Sequence, residues 1–161
     1  MSPCECFSLE GLRSMDHYAL LLILHLFAAL VFVGTVFFEV LILESVRKHV
    51  PRNVMLQIET AIGNRARQLM PWVLLVLYGS GLSMAWRYRA LLAHPLESSF
   101  GLLLTLKIVL ALSVFGHFLY AMALRRRRRL ASTAFKRIHL SVFAHMVGIV
   151  LLAKLMFHLG W

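Results

Sequence analysis

The chain has 161 residues, of which 60% are apolar and only 15% are charged, and its mean hydropathy is +0.78. Soluble domains carry roughly 45–50% apolar and about 25% charged residues, so a water-soluble globule is excluded, as is a disordered chain. The net charge of +10 is concentrated between apolar runs and has no aromatic platform beside it. Membrane topology therefore accounts for it better than nucleic acid does.

The chain opens on a polar leader, residues 1–17, MSPCECFSLEGLRSMDH. Cys4 and Cys6 are separated by one residue, which disfavours a disulfide, and no further cysteine exists to complete a metal site. No essential role is expected for either, and Met15 is an alternative start. The leader is acidic where a signal peptide would be basic, and the apolar run after it is too long for a signal core. The first span is therefore expected to stay in the membrane.

A spanning helix needs about 20 mostly apolar residues. Four stretches qualify within a membrane domain of residues 18–161: Tyr18 to Val46, Leu69 to Trp86, Phe100 to Leu124, and Ile138 to Trp161. The expected fold is all-α, a polytopic four-helix bundle. Between spans one and two, NVMLQIETAIGNRARQ carries a rough helical stripe of apolar residues, which predicts a short interfacial helix. Pro71 then stands at the start of span two, where its missing N–H costs nothing. A short loop with Pro95 joins spans two and three. No convincing internal repeat emerges.

Basic residues set the orientation. The first loop holds Arg47, Lys48, Arg52, Arg65 and Arg67; the third holds Arg125 to Arg129, Lys136 and Arg137. Together these are 12 of the 17 lysines and arginines. Both loops lie on one side of a four-span chain, and that side is expected to be cytoplasmic, with both termini outside. The run Arg125–Arg129 also attracts anionic lipid headgroups.

Ionisable residues inside spans are costly, at about 2.5–3.5 kcal/mol for a charge at the bilayer centre on insertion scales. His25 and Lys107 each lie seven residues into their spans from the outer side, and His117 and His145 each lie seven residues from the inner side. At about 1.5 Å per residue, each is roughly 10 Å deep. Two histidines at one depth on consecutive helices suit the axial positions of a haem iron, with His25 as an alternative ligand. Zinc is disfavoured because no cysteine or carboxylate shares that level. The competing reading is polar packing between helices. Lys154 is expected to snorkel, whereas Lys107 can face the interior and hold an anionic group. Glu39 is expected near headgroups or beside a loop arginine. His17, His49, His94, His139 and His158 fall at interfaces. The small residues from Gly79 to Ser83 allow close approach of a helix, or of a flat ring, to span two.

Three segments resemble the CopD/HemJ-like membrane proteins: LHLFAALVFVG in span one, LKIVLALSVFGH in span three, and FKRIHLSVFAHMVGIVLLAK opening span four. The resemblance covers most of the chain from span one onward. It implies a four-helix haem-associated unit. In the HemJ branch it implies a protoporphyrinogen oxidase with a histidine in span one and a lysine in span three, positions matched here by His25 and Lys107. In the CopD branch it implies a link to copper tolerance.

Three functions compete at this level. The first is a b-type haem redox protein of a bacterial-type inner membrane. Such a protein would oxidise a small substrate or pass electrons between quinone and a redox partner, with Lys107 anchoring a substrate carboxylate or haem propionate, and with homo-oligomerisation open. The second is copper handling through Cys4, Cys6, Met70, Met84, Met146 and Met156, although soft-ligand clusters are lacking. The third is a structural subunit with no chromophore.

Overall fold

In hydrocarbon a backbone N–H or C=O has no water to bond. Each apolar stretch therefore closes its hydrogen bonds within itself, as helix. The computed structural model describes residues 5–126, 132–156 and 158, and among them the fold is all-α. Helix α1 (Glu5–Phe37) runs without a break into a π-helical segment (Phe38–Leu43) and a final turn, α2 (Glu44–Val46). Helix α3 (Arg52–Trp86), the short α4 (Arg89–Ala93), α5 (Ser99–Arg126) and α6 (Ser132–Leu155) follow. Four stretches are long and apolar enough to cross a membrane: His17–Val46, Arg52–Trp86, Ser99–Leu124 and Arg137–Leu155. Cys4 and Arg127 to Arg129 lie outside the described residues, as do the side chains of Cys6 and Arg125.

Three features depart from the sequence expectation. The polar leader is helical from Glu5 onward, continuous with span one. The expected interfacial helix is not a separate element, because residues 52–70 form the first half of α3 and Pro71 lies inside that helix rather than at its start. Proline deletes a single N–H bond, to the carbonyl of Arg67, and membrane helices tolerate that loss. At 35 residues α3 is about 52 Å long, against a hydrocarbon core of roughly 30 Å, so it extends beyond the apolar layer. The third departure is the six-residue π segment in span one. Such segments are rare and recur at functional sites.

The chain forms two units, Met1–Phe32 with Leu56–Tyr88, and Val33–Met55 with Arg89–Trp161. In the first, Ala28 and Phe32 of α1 and Leu74 and Ser80 of α3 are buried. In the second, α5 packs on α6, the π segment packs on α6, and α4 packs on the start of α5. Its core includes Leu104 and Val114 of α5 and the α6 stripe Ile138, Val142 and Met146, spaced one turn apart. Ser98 caps α5 by accepting the N–H of Gly101 at 3.1 Å. A Cβ at Gly101 would meet that hydroxyl at 3.0 Å and the Leu91 carbonyl at 3.3 Å, so a larger residue here would press on the folded-back loop. Large apolar side chains such as Leu30, Leu75, Leu82 and Val150 point outward. On helices of this length and hydropathy they make contact with the lipid bilayer.

Candidate functional site

The α5–α6 interface is organised around a crossed set of serines and histidines. On α5, the Nδ1–H of His117 donates to the carbonyl of Ser113 one turn earlier, at 2.7 Å. On α6, the Nδ1–H of His145 donates to the carbonyl of Ser141, also at 2.7 Å. These bonds fix the proton of each neutral ring on Nδ1 and leave Nε2 as the acceptor. Each Nε2 then receives a hydroxyl from the opposite helix: Ser141 donates to His117 at 3.0 Å, and Ser113 donates to His145 at 3.1 Å. The two rings lie side by side, with centroids 5.3 Å apart and planes inclined at 54°.

This reciprocity has a sequence cause. Residues 112–117 read LSVFGH and residues 140–145 read LSVFAH. The two hexapeptides differ at one position, so an internal repeat is present after all, shorter than a whole span. Placed on antiparallel neighbours, it generates a local two-fold relation in which each serine meets the histidine of the other copy. The repeat valines, Val114 and Val142, are both buried beside this crossed pair.

One imidazole taken alone suits a haem iron. Iron-binding histidines present a neutral Nε2 and spend the other ring N–H on a carbonyl or carboxylate, which sets tautomer and orientation. Both rings of the crossed pair meet that condition. As a pair on one iron they do not fit this packing. Their lone pairs are aimed at two different serines on opposite helices, not at a common point. A shared porphyrin would have to displace both hydroxyls and force apart a pair of helices already in contact.

The inner end of span one adds a second polar contact in the same unit. Glu39, in the π segment, places Oε2 2.6 Å from Nε2 of His139 on α6, with side chains 11% and 22% exposed. The glutamate is thus paired with a histidine rather than with headgroups or a loop arginine, while Arg47 bridges to Glu44 at 3.2 Å. A carboxylate entering an apolar layer needs a hydrogen-bonded partner, and His139 supplies one. Phe37 and Phe143 pack alongside, with centroids 6.3 Å apart.

His25 belongs to the other unit. Its Nδ1–H donates to the carbonyl of Leu77 at 3.0 Å and lies 3.3 Å from the Ser80 hydroxyl, which itself donates to the Val76 carbonyl at 2.6 Å. A Cβ at Gly81 would stand 3.0 Å from Cε1 of His25. The flat ring admitted by the YGSGLS segment is therefore this imidazole. His25 shares the Nδ1–H tautomer of His117 and His145, here set by a carbonyl from another helix.

The remaining candidates are dispersed. Lys107 is half-buried on α5, and no hydrogen bond or ion pair joins it to the described residues. Lys154 is exposed, as are His17, His49, His94 and His158. Met146 and Met156 are buried on α6, whereas Met70 and Met84 lie on α3. Among the described residues no group of three or more His, Cys, Asp or Glu side chains could hold a metal ion. No protein family, curated protein or solved structure matches the chain, so the CopD/HemJ-like resemblance rests on the three segments quoted for it.

Proposed function

We propose that the protein is a b-type haem-binding redox protein of a bacterial-type inner membrane. It carries electrons between quinone and a partner, or oxidises a small substrate of the porphyrinogen class. The observation that carries this reading is the shared state of His25, His117 and His145. Each lies within a membrane-length helix, and each commits Nδ1–H to a main-chain carbonyl, so that Nε2 is the lone-pair nitrogen. When bound, haem supplies a reversible one-electron couple.

The chain's own role is to hold the ring nitrogen in the ligating tautomer and to supply charge complementarity. One imidazole of the crossed pair, or His25, holds the iron; His117 and His145 do not serve together. Lys107 offers an ammonium to a propionate or substrate carboxylate. The basic loops, with Arg125 to Arg129, face the cytoplasm and its anionic lipids.

The test is the visible spectrum of detergent-purified protein from haem-replete cells, combined with elemental analysis for copper. A Soret band with a sharp α-band on reduction supports the reading, and replacing the ligating histidine by alanine abolishes it. A colourless preparation carrying stoichiometric copper, or carrying neither, overturns it.

A further inference from the structure

A carboxylate and an imidazole 2.6 Å apart need a proton between them, since two lone pairs at that separation repel. Glu39 and His139 meet in this way where the π segment of span one crosses the first turns of α6. Neither is sealed off, and both lie at the ends of their spans nearest the basic loops: Glu39 precedes Val46 by seven residues, and His139 follows Arg137 by two. We propose that Glu39 and His139 form a single proton-binding site, which takes up and releases a proton from the water on the basic-loop side. This site is separate from the serine–histidine pairs and does not depend on haem.

Among the described residues, the other charged and titratable groups nearby are bonded to further partners or turned outward. They are Glu44 of α2 and Arg47 just after it, joined at 3.2 Å. From α6 they are Arg137, which is exposed, and His145, whose Nε2 is bonded to Ser113, and from α5 it is His117, whose Nε2 is bonded to Ser141. Neither the serines nor the aromatic pair Phe37–Phe143 carries charge. The carboxylate and the imidazole share the proton between them, and an added proton on the dyad cancels its charge within an apolar layer. Carboxylate and histidine groups inside membrane spans recur in proton relays for this reason. The π segment supplies the local device, an irregular turn that sets a glutamate against a neighbouring helix without leaving backbone groups open to lipid.

The test uses the full chain in detergent micelles, with isotope labels on histidine ring nitrogens and glutamate carboxyl carbons, titrated from pH 4 to 9. In the unmodified chain the His139 ring and the Glu39 carboxyl respond at a common midpoint. In Glu39→Gln the His139 midpoint moves away from that of the unmodified chain by more than about 0.3 pH unit, because the group that shares its proton is gone. Independent midpoints in the unmodified chain overturn the proposal even if the variant fails to fold. A midpoint in Glu39→Gln within about 0.3 unit of the unmodified value overturns it as well.

Discussion

Removing one hydroxyl from the crossed pair tests the site geometry most sharply. Ser141→Ala deletes the donor 3.0 Å from Nε2 of His117 and leaves every main-chain bond in place, including the 2.7 Å bond from His117 Nδ1–H to Ser113. Interhelical hydrogen bonds in membrane proteins contribute about 0.6 kcal/mol on average and about 1.7 at most. A buried acceptor stripped of its donor costs about 1–3 kcal/mol. His117 is only half-buried, so the expected loss is about 1 kcal/mol. Ser113→Ala should cost the same within about 0.5 kcal/mol, because the repeat makes the two sites equivalent. The assay is detergent-driven unfolding in mixed micelles, run as two double-mutant cycles. Ser141→Ala with His117→Ala, and Ser113→Ala with His145→Ala, should each show a coupling of about 0.6–1.7 kcal/mol. Coupling below about 0.3 kcal/mol in both cycles would refute the crossed arrangement.

Further outcomes follow from other contacts. Gly81→Ala should destabilise the protein by about 1–3 kcal/mol, because the new Cβ would stand 3.0 Å from the His25 ring. Gly79→Ala, where a Cβ meets nothing within 4 Å, should cost nothing, and thermal melts of the two variants compare them directly. Gly101→Ala should weaken the loop–α5 junction, since its Cβ would press on Ser98, Leu91 and Pro95, and proteolysis in the Arg89–Ser99 region should accelerate. For orientation, in a chain whose Cys4 and Cys6 are replaced by serine, Leu96→Cys should react with an impermeant thiol reagent on intact cells, and Asn64→Cys only after permeabilisation. The reverse pattern contradicts the proposed topology.

Much of this architecture is legible in the sequence. Hydropathy locates the spans because a membrane accepts few alternatives to a helix of about 20 apolar residues. Seven-residue offsets from the span ends put His117 and His145 at one depth, and they do meet. Helical rise gives depth only, however. It does not give the direction of a ring, so the serines that receive the two Nε2 atoms are not visible from it. The LSVFGH and LSVFAH segments hold that information, but at six residues they are shorter than the repeats that reveal themselves by span periodicity. The π segment escapes because FEVLIL is as apolar as an ordinary helix except at Glu39, and without it the partner of Glu39 cannot be read. Pro71 misleads for a different reason. Proline marks helix starts in water, but it is tolerated inside a membrane helix whose other bonds are intact.

The central claim, that histidines inside the spans hold haem iron, is tested most directly by one quantity: the haem-to-protein ratio of purified chain beside that of a His25→Ala/His117→Ala/His145→Ala variant prepared identically. The account predicts stoichiometric pigment in the first and none in the second. Equal pigment in both, or none in either, would contradict it.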